Sequence, residues 1–209
     1  MGETDEWTDT ERGLLDATGR ALADHGVSAL TTQRIADEWG RSQSLVHYYY
    51  DTKTDLVVAY IEYLRAQQRE RYAARSDDPP LDRIEWLVFT DLAPDEDVAN
   101  TVNVLYDLHA EAPHNDRFRD ALDGFEADAR EFVETAVRDG VDAGTFRDVD
   151  PEAVSAFLLS ASDGARLRTV SLGRREDAAA FRAGAEQYVA DVLLAADARA
   201  DWSGFDEAD

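Results

Sequence analysis

Hydrophobic residues recur at helical spacing along nearly the whole chain, and few stretches alternate between apolar and polar residues as strands do. The longest unbroken stripe lies within residues 116–140, where apolar side chains fall three and four positions apart. Its members are Phe118, Leu122, Phe125, Ala129, Phe132, Val133 and Val137. The pattern predicts an all-α protein of about nine helices, with no internal repeat.

Capping and breaking residues place the ends of these helices. Thr8 and Glu11 have the spacing of a capping box, residues 76–80 form a break, and Pro151 stands at a first helical position. The predicted helices cover residues 9–26, 31–50 (two short helices), 52–74, 81–92, 95–111, 116–140, 150–172 and 177–198. A loose acidic tail is predicted at residues 201–209.

Residues 31–50 combine two short amphipathic helices with a tight turn. Thr31 or Thr32 caps the first helix, Gly40 ends it because glycine accepts the left-handed conformation, and Ser42 caps the second. The inward residues are Ile35, Ala36 and Trp39 on the first helix and Val46, Tyr49 and Tyr50 on the second. This order of elements predicts a helix-turn-helix.

The outer face of the second short helix is polar and uncharged, and it carries Gln43, Ser44, His47 and Tyr48. Such a face suits contacts to base edges and to phosphates in the major groove of DNA. The alternative, a buried helical hairpin with no DNA role, would leave this polar face unexplained. We therefore expect double-stranded DNA as a partner.

The charge of the chain changes how this expectation is weighed. There are 45 acidic and 21 basic residues, a net charge of −24, with 29 Asp and a single lysine, Lys53. An acidic excess normally repels nucleic acid. Abundant Asp with almost no Lys is, however, typical of a halophile that works in molar salt; an ordinary acidic protein is the alternative. Residues 28–53 hold three acidic and three basic residues, so the candidate reading segment is neutral.

Several functional classes find no support in the sequence. The chain has no cysteine, and no run approaches the roughly 18 apolar residues of a membrane helix. The first residues are acidic without an apolar signal core, so we expect a cytoplasmic protein. Glycine-rich phosphate loops and the common hydrolase motifs are missing, so we expect no enzyme, cofactor or metal. His109, Glu111 and His114 are a weak metal signal, because Pro113 interrupts their helix.

The segment ALTTQRIADEWGRSQSLVHYYYDTKTDL resembles the DNA-binding motif of TetR-type regulators, and the resemblance is dense over residues 8–64. It implies a helix-turn-helix domain of three helices at residues 1–56, with the DNA-reading motif at 31–50. Residues 57–209 would then form a helical ligand-binding and dimerisation domain.

The same resemblance implies a role for individual side chains. Gln43, Ser44 and His47 would lie in the major groove, while Tyr48 and Lys53 would contact phosphates. The full set implied in DNA contact is Thr32, Gln33, Arg41, Ser42, Gln43, Ser44, His47, Tyr48 and Lys53. Trp39 and Arg41 depart from the family pattern: Trp39 is expected to fill extra core volume, and Arg41 to add a phosphate contact or to balance charge.

Two later segments, LYDLHAEAPHNDRFRDAL and GTFRDVDPEAVSAFLLSASDGARLR, resemble the C-terminal domain of the BetI-type branch of that family. This resemblance implies that helices 150–172 and 177–198 pair with their copies in a four-helix interface of a homodimer. A two-fold dimer would read a palindromic operator. A small-molecule effector would release it, so the implied function is that of a repressor.

Four aromatic residues lie on helices that line the ligand cavity in this family: Trp86, Phe89, Tyr106 and Phe125. An aromatic pocket would take an apolar or cationic effector, and the branch makes a quaternary ammonium conceivable. Ordinary core packing is the alternative for each ring. Two other functions stay open: an architectural DNA-binding protein without an effector, and a helical small-molecule-binding protein without a DNA role.

Overall fold

A computed structural model describes residues 7–89 and 96–205. This part of the chain contains ten α-helices joined by short connections, which confirms the all-α class. They are α1 (Asp9–Ala29), α2 (Thr32–Trp39), α3 (Gln43–Tyr49), α4 (Lys53–Ala73), α5 (Pro80–Phe89), α6 (Glu96–Glu111), α7 (Asp116–Asp142), α8 (Pro151–Leu172), α9 (Arg175–Tyr188) and α10 (Ala196–Asp201). A 3₁₀ turn at Ala112–His114 and a π-helical turn at Val189–Leu193 complete the path.

The first helix begins where its sequence predicts, but Gly26, its predicted end, is a bend, and the helix continues to Ala29. The Thr8 N–H donates to Glu11 Oε2 (2.9 Å), and the Glu11 N–H donates to Thr8 Oγ1 (3.3 Å), so the capping box is formed. The hydrogen bonds from Thr8 lower the pKa of the Glu11 carboxyl. Gly26 breaks the regular path of α1 with φ 70° and ψ 164°, a conformation that glycine adopts without steric cost.

The described residues divide into two compact units. The first comprises residues 7–73 and 97–128, and so contains α1–α4, α6 and the first part of α7. Leu14, Leu22, Ile35, Leu56 and Leu108 are among its fully buried side chains. The expected boundary between residues 56 and 57 falls inside α4, and the division into two domains at that point stays a prediction.

The second unit comprises residues 74–89, residue 96 and residues 129–205, with α5, the end of α7, and α8 to α10. Its core is built from Ile84, Val88, Val137, Leu158 and Leu193. A Cβ atom on Gly140 would lie 2.1 Å from the ring of Phe146, so only glycine lets α7 approach that ring.

The prediction of one unbroken helix over residues 177–198 is wrong. After α9 the chain makes the π-helical turn, and Leu194 is extended (φ −68°, ψ 135°) before α10 begins. At this point the loop after α7 forms backbone hydrogen bonds with the segment between α9 and α10. The Arg147 N–H donates to Leu193 O (2.8 Å), and the Ala195 N–H donates to Thr145 O (2.9 Å). This pairing between distant segments ends the helix.

The C-terminal segment is also more ordered than predicted. Trp202 and Phe205 pack against the core of the second unit, and the Phe205 ring lies 4.7 Å from that of Phe89. The burial of Phe205 excludes a loose chain up to that residue, while residues 206–209 lie outside the described part. The predicted last residues of the helix at 81–92 and the first of the helix at 95–111 lie outside it as well.

Candidate nucleic-acid interface

Local signals build the helix pair α2–α3. Thr31 Oγ1 accepts a hydrogen bond from the Arg34 N–H (3.2 Å) at the start of α2, and Ser42 Oγ accepts from the Leu45 N–H (3.3 Å) at the start of α3. Between them, Gly40 has the left-handed conformation (φ 66°, ψ 31°). The predicted caps and turn are therefore confirmed, and the pair is a helix-turn-helix.

The inner faces of the two helices anchor them in the core of the first unit. Val46 is fully buried, and Tyr49 is half-buried with its ring 6.2 Å from that of Trp39 in an edge-on contact. Trp39 Nε1 lies 3.3 Å from the position that a Cβ on Gly13 would occupy. The glycine on α1 thus makes room for the tryptophan, which explains how the helix pair accepts this large residue.

The outer face of α3 is exposed along its length. Gln43, Ser44, His47 and Tyr48 are all exposed, and the Tyr48 side chain is 79% exposed. The aromatic ring of Tyr48 rests edge-on against Tyr49, with centroids 5.2 Å apart. A polar, uncharged surface on the second helix of a helix-turn-helix can make hydrogen bonds to base edges.

Hydrogen bonds link α3 to the first residue of α2. Gln43 Nε2 donates to Thr32 Oγ1 (2.8 Å), and His47 Nε2 lies 3.4 Å from the same oxygen. Of the nine residues expected to contact DNA, the structure thus brings three together in one network. Sequence reasoning missed this link because the residues are 11 and 15 positions apart.

The other candidate residues lie around this network. Gln33, Arg41 and Ser42 are exposed, and Gln33 Nε2 donates to Asp37 Oδ1 (2.7 Å) on its own helix. Lys53 is half-buried, and its Nζ donates to Val27 O (3.2 Å) near the end of α1. An ammonium has three donors, so this bond leaves donors for a phosphate. Contact of these residues with DNA stays a prediction.

Side-chain contacts next to Lys53 hold a corner of the chain in place at the start of α4. Thr52 Oγ1 donates to Asp55 Oδ2 (2.6 Å), and Arg117 from α7 lies 2.5 Å from Asp55 Oδ1. These contacts, led by the Thr52 hydroxyl, lower the pKa of the Asp55 carboxyl. The contacts at this corner fix the start of α4 directly after α3.

The four aromatic candidates for a ligand pocket fall in both units. Tyr106 and Phe125 are half-buried in the first unit, whereas Trp86 and Phe89 belong to the second. The Arg75 guanidinium lies 4.5 Å from the Trp86 ring centroid, and the Arg182 guanidinium 4.9 Å from that of Phe89. A shared pocket stays a prediction.

The metal signal is explained by ordinary contacts. His109 Nδ1 lies 2.8 Å from Leu105 O, and its Nε2 lies 3.3 Å from Glu126 Oε1, while His114 is exposed. Within residues 7–89 and 96–205, no group of three or more His, Asp or Glu side chains is placed to hold a metal ion. In the same part of the chain, no helix has both the length and the apolar character needed to cross a membrane.

The fold and the exposed face of α3 define a helix-turn-helix protein, and sequence comparison gives the family. The model of the tetR family of bacterial regulatory proteins matches residues 14–60. The model of the C-terminal domain of BetI-type transcriptional repressors matches residues 80–194, which is more than half of the chain. The chain therefore belongs to the TetR family, with a C-terminal domain of the BetI type.

Individual relatives agree with this assignment. The HTH-type transcriptional regulator BetI of Rhizobium meliloti (strain 1021) is 28% identical over 113 residues, which span 53% of this chain and about half (56%) of that protein. A TetR transcription regulator from Haloarcula marismortui ATCC 43049 is 34% identical, with a TM-score of 0.81 over 90% of this chain and 100% of that chain. A transcriptional regulator from Saccharomonospora viridis, solved in complex with choline, is 20% identical and has a TM-score of 0.79 over 90% and 100% of the two chains; this likeness shows the fold alone.

Proposed function

We propose that the protein is a DNA-binding transcriptional repressor that leaves a palindromic operator when a small-molecule effector binds. The observation that carries the proposal is the exposed, uncharged polar face of α3 on a helix-turn-helix. The neutral segment 28–53 supports it, because phosphates can approach this part of a chain whose net charge is −24. Its place of action is the cytoplasm, where operator DNA is found.

The apolar surface of α8 supports a homodimer. Phe157, Leu167 and Leu172 are 50%, 42% and 66% exposed. The Phe157 ring lies 4.6 Å from that of Tyr188 on α9, so the two helices share this surface. A groove of about 550 Å³ beside it is lined by small residues of α8, including Ala161 and Gly164, and by the charged side chains of Arg168, Arg174 and Asp177 at its edge. A second copy pairing through α8 and α9 would bury these side chains, as an apolar interface core requires.

A two-fold dimer of this kind has a geometric consequence for DNA. It presents two copies of α3 to two half-sites whose centres are separated by roughly 34 Å, one turn of the duplex, or somewhat more. The operator should then be an inverted repeat. An effector that favours a different separation of the two α3 helices would release the operator.

The effector is proposed to be a small organic cation. Trp86 and Phe89 each hold a guanidinium over the ring face, so both rings are placed to make cation–π contacts, and an effector cation would take the place of the arginine. A relative of the same fold was solved with choline. Choline should therefore raise the melting temperature of the wild type above that of a sample with equimolar potassium chloride, and Trp86→Leu should abolish the increase. An equal increase in the variant would refute the aromatic site.

The protein is proposed to work in molar salt. Its 29 Asp and single lysine support this, and the relative with 34% identity comes from Haloarcula marismortui. Below about 0.5 M salt, self-repulsion of the net charge should loosen the fold, because screening weakens as the Debye length grows. A melting temperature that does not depend on salt would count against this setting.

The test of the proposed function is capture of genomic DNA. Purified protein is mixed with sheared DNA of the organism that encodes it, in molar potassium chloride, and the retained fragments are sequenced. We expect sharp enrichment of a few palindromic sites, and its loss in Gln43→Ala/His47→Ala. Broad retention that is the same in both proteins would favour an architectural DNA-binding role, and no retention would favour a role without DNA.

A further inference from the structure

Thr32, which the family resemblance implies in DNA contact, also contacts side chains of α3 within the protein. It is the first residue of α2, is half-buried, and its hydroxyl oxygen lies between two side chains of the reading helix. The Gln43 amide nitrogen is 2.8 Å away, and His47 Nε2 is 3.4 Å away. One hydroxyl on α2 therefore contacts two of the three side chains that are expected to read bases.

The chemistry of the hydroxyl sets how these side chains are held. A threonine hydroxyl has one hydrogen and two lone pairs, so it can accept a hydrogen bond from the Gln43 amide and still form one with His47. At His47 it donates to an unprotonated Nε2 or accepts from a protonated one, and either bond restrains the imidazole ring. In the structure the Gln43 amide nitrogen faces Thr32 and donates to its hydroxyl oxygen. When the hydroxyl hydrogen is donated to His47, none is left for the Gln43 carbonyl oxygen, which favours this orientation of the amide.

The fixed amide retains a defined set of groups for DNA. With one amide hydrogen bound to Thr32, Gln43 keeps its second N–H as a donor and its carbonyl oxygen as an acceptor. Adenine offers the matching pair in the major groove, an acceptor at N7 and a donor at N6. Because Gly40 and the buried Ile35 and Val46 fix α2 against α3, this orientation exists before DNA arrives.

We infer that Thr32 is a positioning residue for base recognition, which orients Gln43 to read adenine and restrains His47 beside it. The inference rests on the proposed function, since it concerns how the same surface selects a sequence. It differs from a phosphate contact in its consequence. Loss of a phosphate contact weakens binding to all sequences alike, whereas loss of a positioning residue changes which sequence is preferred.

The experiment selects duplexes from a random-sequence DNA pool in molar potassium chloride, with sequencing of the bound fraction. Wild type, Gln43→Ala, Thr32→Val and Thr32→Ser are compared. Valine has the shape of threonine without the hydroxyl, and serine keeps the hydroxyl. Thr10→Val is the matched control, because it makes the same substitution at an exposed threonine of α1 that is outside the set expected to contact DNA.

The wild type should enrich adenine at one position in each half-site, and Gln43→Ala should lose that preference. Thr32→Val should lose it too, with the affinity for the selected duplex relative to the random pool falling about tenfold, as expected for one bidentate base contact. Thr32→Ser and Thr10→Val should retain the preference. Circular dichroism of each variant checks that the helices are intact.

Three results would overturn the inference while leaving the proposed function in place. The first is a Thr32→Val protein that keeps the adenine preference and binds all sequences equally weakly. The second is a Thr32→Ser protein that behaves as Thr32→Val does. The third is a base other than adenine at the position that depends on Gln43. A wild type that enriches no sequence would instead refute the proposed function, and this inference with it.

Discussion

The exposed faces of α3 and α8 differ in the kind of surface they offer. On α3 the exposed residues Gln43, Ser44 and His47 carry hydrogen-bonding groups, whereas on α8 Phe157 and Leu167 leave apolar area in water. Hydrogen-bonding groups give specificity toward base edges, and apolar area gives affinity between protein surfaces. The contrast fits the two partners proposed above, DNA at α3 and a second copy of the chain at α8.

The charge of the two regions follows the same division. Residues 28–53 are neutral, with three acidic and three basic residues, while residues 57–209 carry 16 basic and 34 acidic residues, a net charge of −18. The acidic excess is thus concentrated away from the reading segment. Substitutions that affect one surface and leave the other intact test this difference.

The largest expected effect comes from removing the reading side chains. Gln43→Ala/His47→Ala should weaken binding to a selected operator duplex at least roughly 30-fold, because two base contacts of about 1–3 kcal/mol each are lost. The oligomeric state should not change. Fluorescence anisotropy with a labelled duplex measures the affinity, and Thr10→Val, at an exposed position of α1, is the control. A double variant that binds the duplex like the wild type would contradict the proposal that α3 contacts DNA bases.

A charge on the apolar surface of α8 should separate the copies. Phe157→Arg places a guanidinium where an apolar contact is proposed, and loss of an aromatic anchor costs about 2 kcal/mol or more. The dissociation constant of the dimer should rise at least about 30-fold, and operator binding should weaken with it. Sedimentation equilibrium in molar salt measures this change.

The matched control for this variant is Ala127→Arg, which adds the same charge at an exposed position of α7. It should remain a dimer. A Phe157→Arg protein with an unchanged dissociation constant would show that α8 is not the surface between copies.

The core of the first unit should give an effect of similar size, visible only at alkaline pH. Burial raises the pKa of Tyr60 to about 12, with a further contribution from the charge of Asp16. The folded-state pKa lies above the ordinary value of 10, so Tyr60 contributes full stability below about pH 10 and loses it as pH rises toward 12. The loss should be roughly 2–3 kcal/mol of unfolding free energy.

Chemical denaturation at a series of pH values between about 9 and 12, the range in which tyrosine titrates, measures this loss of unfolding free energy. Tyr60→Phe should flatten the profile, whereas Tyr48→Phe, which changes an exposed ring, should leave it as in the wild type. Identical profiles for the wild type and Tyr60→Phe would mean that Tyr60 does not titrate differently in the folded state.

The smallest expected effect concerns the salt dependence of DNA binding. Few basic residues are near the reading helix, so few counterions are released, and affinity should fall only weakly with salt, or rise if cations bridge acidic residues and phosphates. Lys53→Ala should change the slope of log affinity against log salt by about one for each chain. A steep slope in the wild type would contradict the view of α3 as a neutral surface.

Much of this fold could be predicted from the sequence because the signals that specify it are local. The capping box, the left-handed Gly40 and the Ser42 cap act within a few residues, and α2 and α3 lie where those residues predict. The end of α9 could not be predicted in this way, because Arg147 pairs with Leu193 across 46 positions. Hydrophobic periodicity alone predicts that the helix continues through that point.

The candidate site shows the same limit. Spacing predicted which side chains of α3 are exposed, since Gln43 and His47 are four residues apart on one face. The bonds from Thr32 to both of them depend on the angle between two helices, and the bond from Lys53 to Val27 depends on the end of α1. Such contacts between elements require the folded structure.

The central claim, that α3 reads DNA and α8 pairs two copies, is tested most directly by the symmetry of the sites that the wild type selects from a random duplex pool. The account predicts an inverted repeat, with half-site centres separated by roughly 34 Å or somewhat more. It also predicts that Phe157→Arg loses one half-site. Selection of a single, unrepeated site by the wild type, or of no sequence at all, would contradict it.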